Sequence, residues 1–183
     1  SRYRFEKTGV VINRALLLNK TNQFQAARES LEAAERELQT LDANGQNIEA
    51  TARLAKTRAD LGQQLLMLGQ TTEAVEKLRT AVKTFQSLQQ RAPDHPPHLE
   101  GLAAARLSLA NAFRALGRDG DVVAAYEDSI KDYDLLLKAR PGIPYYLESL
   151  AVVRTDLAQM LMLIGDNPAA KEQAAAALTQ FID

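Results

Sequence analysis

The sequence predicts an all-α fold, an α-solenoid of four helix–turn–helix repeats whose eight antiparallel helices wind in a right-handed array. Three observations carry that prediction. Residue types recur at a fixed 48-residue step through most of the chain. Turn-forming glycines and prolines recur on the same step. Between them the sequence is rich in Ala, Leu, Gln, Glu, Lys and Arg, the strong helix formers. Self-similarity at a fixed period is the mark of a stacked-repeat architecture, because one helix pair cannot bury its apolar face alone.

The period is read most directly from Gly69, Gly117 and Gly165. Leu54, Leu102 and Leu150 keep it, as do Arg58, Arg106 and Arg154, then Leu61, Leu109 and Leu157, then Phe85, Tyr133 and Phe181. Pro93 and Pro141 share it, and so do Pro96 and Pro144. The first unit, "VVINRALLLNKTNQFQAARESLEAAERELQTL", keeps the pattern, with Asn19 near the glycine's place and Leu38 aligned with Phe85. Its predicted helices cover residues 2–20 and 23–43. The second unit is expected at 46–68 and 71–91.

The third unit, at 96–116 and 119–139, shows the logic clearly. Its first stripe, Leu99, Leu102, Leu109, Phe113 and Leu116, has helical spacing. Gly117 then stops the helix by accepting left-handed geometry. Asp119 or Asp121 is expected to cap the next helix. Its stripe, Val122 or Val123, then Tyr126, Ile130, Tyr133 and Leu137, ends at "ARPGIP", where proline removes a backbone donor. The fourth unit is expected at 143–164 and 167–182. The four repeats, about 2–43, 46–91, 96–139 and 143–183, are read as one domain spanning 1–183. Short glycine turns make each pair antiparallel, and the first helices then line a concave wall.

Composition narrows the function classes. The chain has 183 residues, 46% apolar and 25% charged, with a net charge of −1. That balance gives no electrostatic pull towards nucleic acid or an anionic membrane. No apolar run reaches the ~18 residues that a spanning helix needs, and "SRYRFEKTG" does not have the character of a signal peptide. There is no cysteine, so disulfides, thiolate metal sites and a cysteine nucleophile drop out. The compartment stays open, with the cytoplasm slightly favoured. No nucleophile, base and orienting group recur together, and no cofactor motif is present, so an enzyme is not expected.

The repeat resembles a known family. In each unit a Leu and a small residue (Leu61-Gly62, Leu109-Ala110, Leu157-Ala158) precede a bulky residue, Leu65, Phe113 or Leu161. Glycine follows four later, then Ala74, Val122 or Ala170. This pattern resembles the tetratricopeptide repeat (TPR). Arg58, Arg106 and Arg154 stand where that family usually has Trp, and the step is 48 rather than about 34. The longer unit resembles the extended repeats found beside bacterial serine/threonine kinase domains. The resemblance implies a scaffold that holds a protein or peptide segment in its concave groove.

Four groups of residues are candidate sites. The first is an amide ladder of Gln63, Asn111 and Gln159, with Asn13 placed in it by alignment through Leu18. A side-chain amide both donates and accepts, so it suits the main chain of a ligand. Similar asparagine ladders line the groove of O-linked GlcNAc transferase repeats. The plain alternative is ordinary polar surface. The second is an apolar strip, Leu16, Leu17, Leu66, Met67, Met162 and Leu163, interrupted by Arg114 and Ala115. Exposed apolar strips mark contact, whereas long helices also need wide apolar faces of their own. From these two groups the expected partner-binding residues are Asn13, Gln63, Leu66, Met67, Asn111, Arg114, Gln159 and Met162.

The third group is the arginine ladder, Arg58, Arg106 and Arg154, set inside the apolar stripe. It is read as repeated inter-helix salt bridges rather than as an anion grip. The fourth is "DHPPHLE", with Asp94, His95 and His98, read as a solvated turn and not as a metal site. An alternative role is self-association. The last helix, "AAKEQAAAALTQFID", has no polar capping partner, and its face at Ala175 and Ala176 would form a homodimer.

Overall fold

The computed structural model describes residues 2–93 and 95–179; Phe181, which carries the period in the sequence, lies outside them, as do Asp94 and the end of the last predicted helix. Among the described residues there are eight α-helices and no strand. They are α1 (Arg2–Lys20), α2 (Phe24–Leu41), α3 (Ile48–Met67), α4 (Thr71–Arg91), α5 (Pro96–Ala115), α6 (Asp119–Ala139), α7 (Pro144–Leu163) and α8 (Asn167–Thr179). The boundaries lie close to those read from the sequence because glycine and proline set them.

Glycine turns join the helices of three pairs. Gly69, Gly117 and Gly165 have φ of 73°, 66° and 87°, which only glycine adopts without strain. Each turn closes with the next amide bonded back to the carbonyl five residues earlier: Gln70 to Leu65, Arg118 to Phe113 and Asp166 to Leu161. This is the Schellman closure of a helix end. In the first pair the same bond runs from Gln23 to Leu18 at 2.9 Å. The left-handed residue there is Asn22, at φ 57°. Asn22 therefore does the work that the sequence reading gave to Asn19, and the first pair is offset by 47 residues from the second throughout. A second expectation also changes. Asp119 and Asp121 do not cap α6, whose N-cap is Arg118 without a side-chain cap. Both aspartates lie in the first turn, where they suit the positive end of the helix dipole.

The chain divides into two compact units, residues 1–98 and 99–183. In the first, Ala15, Ala27, Leu31, Leu61, Leu65 and Ala74 form a buried cluster shared by α1, α2, α3 and α4. Gln64 is buried among them and donates to the Phe24 carbonyl at 2.9 Å, tying α3 to α2. In the second unit the large buried side chains are Tyr126, Tyr133 and Tyr146. Ser129 donates to the Ala103 carbonyl at 3.0 Å, joining α6 to α5.

Candidate binding face

The first helix of each pair buries one stripe and turns the opposite side outward. On α3, Leu54, Leu61 and Leu65 are buried. Gln63 and Met67 lie about half a turn away and are exposed, Met67 at 68%. Leu66 sits at the edge of that face, half-buried against the core cluster. On α1, Asn13, Leu16 and Leu17 are all exposed.

The position of Asn13 differs from the expectation. Counting back from the left-handed Asn22, as Gln63 counts back from Gly69, the residue at the amide place is Leu16. Asn13 falls where α3 has Asp60. The ladder therefore has three members, Gln63, Asn111 and Gln159, because α1 runs three residues further before its turn than the sequence alignment assumed.

In the second unit the face is built from α5 and α7. Gln159, Met162 and Leu163 are exposed on α7, Leu163 at 78%, and Arg114 is exposed on α5. Asn111 is different. It is half-buried, and its Oδ1 accepts a hydrogen bond from the Tyr126 hydroxyl at 3.1 Å. One lone pair of its acceptor is thus engaged inside the protein, and its NH2 group remains for a ligand. Burial raises the Tyr126 hydroxyl above its ordinary pKa; the negative charge of Asp156 adds to the rise and Arg114 opposes it. Asp156, half-buried on α7, is itself raised by burial, with Arg114 pulling the other way. From the sequence Tyr126 is read only as a member of the core stripe, and Asp156 is not singled out. A signal existed for the first: the residues one period either side of Tyr126 are Leu78 and Ala174, so the hydroxyl is new at that place.

The arginine ladder is engaged structurally, but not as one repeated bridge. Arg58 on α3 meets Glu35 on α2 at 2.9 Å, and Lys77 on α4 meets the same carboxylate at 2.7 Å. Burial pushes the Glu35 carboxyl up, yet the hydrogen bonds from Lys77 and Arg58 bring it below its usual range. Arg106 on α5 meets Asp132 at 2.6 Å and Asp128 at 3.7 Å, both on α6. Arg154 on α7 meets Asp134 on α6 at 3.3 Å and lies 3.5 Å from the Ala176 carbonyl. The arginines keep the period and their partners do not. Each guanidinium therefore ties a different helix combination.

The turn histidines pack on each other, ring centroids 4.3 Å apart. His98 is buried, 3% exposed, rather than solvated as expected, and His95 is exposed. Burial first, then the charges of His95 and Arg91, hold the His98 pKa below its ordinary value, against a hydrogen bond to the Leu88 backbone. Among the described residues no group of three or more His, Asp or Glu is placed to hold a metal. None of the described helices is long and apolar enough to cross a membrane.

Solved structures share this fold. The crystal structure of BtubC (BKLC) from P. vanneervenii superposes with a TM-score of 0.73 at 16% identity, covering 96% of this chain and 63% of that one. The chain thus spans less than two thirds of BtubC. A putative kinesin light chain of Podosopora anserina with nearly identical TPR-like repeats gives a TM-score of 0.66 at 21% identity, over 94% of this chain and 74% of that one. A second structure of such a Podosopora anserina protein gives 0.53 at 21% identity, covering 95% and 94%. No family model and no curated protein matches the sequence. The likeness is one of architecture: the helix pairs form TPR-like repeats.

Proposed function

We propose that this chain is a non-catalytic interaction module that holds a polypeptide segment of a partner protein on the outward faces of its first helices. One observation carries the reading. Those faces combine exposed flexible apolar side chains, Leu17 and Met67 in one unit and Met162 and Leu163 in the other, with side-chain amides at repeat-equivalent places. Apolar surface left in water beside donors and acceptors is the make-up of a contact surface, and methionine adapts to varied partners. Gln63, Leu66 and Met67 would serve in the first unit, with Asn13 at the rim. Asn111, Arg114, Gln159 and Met162 would serve in the second. Of the amides, Gln63 and Gln159 would face the ligand main chain, and Arg114 would set preference among ligands.

The test is selection from a random peptide display library, followed by titration of the selected peptides. Wild type is expected to enrich a defined set. Met67→Glu and Met162→Glu are expected to weaken binding of that set by about tenfold or more while the melting curve holds. Undiminished binding by both variants would refute the placement.

A second reading rests on the last pair. Leu178 on α8 is 66% exposed, and Ala174 and Ala175 beside it are exposed. Under this reading two copies associate through α8. Sedimentation across a concentration series distinguishes the two, since Leu178→Glu would abolish association without affecting peptide binding.

A further inference from the structure

The internal repeat supplies its own standard for each side chain. On α3, Asp60 is half-buried and has Lys56 one turn before it, with Nζ 3.3 Å from Oδ1. Two periods later, Asp156 on α7 occupies the same place. The place of Lys56 is taken there by Val152, which is 53% exposed. Asp156 makes no hydrogen bond or ion pair among the described residues. Every other described carboxylate that is not exposed has such a partner: Glu35, Asp132 and Asp134 have arginines, Asp60 a lysine, Asp42 a backbone amide, and Glu100 the Tyr146 hydroxyl. The remaining five, Glu32, Glu37, Glu73, Asp121 and Asp128, also meet basic side chains.

A carboxylate drawn partly out of water without a counter-group is unfavourable, and burial has already raised its pKa. We infer that Asp156 and Val152 form a recognition site for one lysine or arginine side chain of a bound polypeptide segment. The ligand's aliphatic stem would lie on Val152 and its charged head on Asp156, as Lys56 does for Asp60 from within the chain. The Asn111 amide, with its acceptor held by Tyr126, would donate to a main-chain carbonyl of the same segment. Arg114 is within electrostatic reach of Asp156 but makes no ion pair with it. It disfavours a run of basic residues, so the site reads a single cation. The inference rests on the proposal that this face binds polypeptide.

The test compares wild type, Asp156→Asn, Val152→Lys and Arg114→Ala in selection from the same random library, each checked for folding by its melting curve. Wild type is expected to enrich peptides with Lys or Arg at one fixed place. Asp156→Asn removes the charge, and Val152→Lys rebuilds the internal pair of α3. Both are expected to lose the enrichment and to bind the wild-type peptide about tenfold or more weakly. Arg114→Ala should keep the enrichment for a basic residue at that place and newly admit a second basic residue beside it, so that the preference among ligands broadens. Replacing the basic residue of the selected peptide by norleucine should weaken wild-type binding by about the same factor, a measurement that needs no variant to fold. Peptides selected without a fixed basic residue, unchanged enrichment in Asp156→Asn, wild-type affinity in Val152→Lys, or equal affinity of the norleucine peptide would each overturn this site and leave peptide binding standing. Failure of wild type to select any peptide would overturn peptide binding itself, and this site with it.

Discussion

At the residue scale the arginine ladder shows how a periodic residue can have non-periodic work. That the arginines sit inside the apolar stripe was plain in the sequence, and so was their need for partners. Which carboxylates they meet was not, since Glu35, Asp132 and Asp134 lie at three different places within their repeats. The pair of Arg106 and Asp132 is the most enclosed in the second unit, and burial lifts the Asp132 carboxyl to about 6 even with Arg106 beside it. Removing Arg106 leaves Asp132 with no cation in contact, whereas removing Asp132 leaves Arg106 near Asp128. Arg106→Met is therefore expected to cost ~3 kcal/mol at neutral pH, more than Asp132→Asn, and Arg106→Met with Asp132→Leu should recover most of it. Urea unfolding at pH 7.5 and 5 checks this. The cost of Arg106→Met should shrink at pH 5, where the stranded carboxyl is protonated. A cost that does not change with pH would mean that Asp132 finds water or another partner.

At the element scale the helices were largely legible, because glycine and proline act locally and need no tertiary information. The first turn was not, because asparagine can take the left-handed place and two asparagines, Asn19 and Asn22, competed for it. Only the positive φ of Asn22 decides between them, and with it the register of all of α1. Close helix approach was legible only in outline. The small residue after each stripe leucine is Gly62, Ala110 or Ala158. At Gly62 a Cβ would stand 2.5 Å from Leu78 Cγ, and Leu78 is fully buried. Gly62→Ala would gain ~1 kcal/mol of helix propensity, but overpacking a fixed side chain costs ~1–3 kcal/mol. Net destabilisation is expected, relieved by Leu78→Ala in the same chain. A Gly62→Ala variant that melts above the parent would show that α3 and α4 can move apart freely.

At the scale of the whole molecule, each compact unit contains a buried group whose titration near neutral pH acts on stability, and the two act in opposite directions. His98 belongs to the first unit. Its folded-state pKa is lowered from 6.5 by burial and by the His95 and Arg91 charges. Below that ordinary value the unfolded chain takes up a proton that the folded chain resists, so stability falls as pH falls. Asp132 belongs to the second unit, and its pKa is raised from 3.8 to about 6. Between those values the folded chain binds the proton more tightly, so stability rises as pH falls. From pH 7.5 to 5.5 the second effect is worth up to about 1 kcal/mol. Urea midpoints at those two pH values, for the parent, His98→Leu and Asp132→Asn, should therefore fall in a fixed order. Asp132→Asn should lose the most stability on acidification, because the compensating group is gone. His98→Leu should lose the least, because the buried group of the first unit that resists protonation near neutral pH is gone, and the parent should lie between them. A His98→Leu variant as acid-sensitive as the parent would place the acid response elsewhere. The reverse order for Asp132→Asn would mean that Arg106 keeps that carboxylate charged throughout the range.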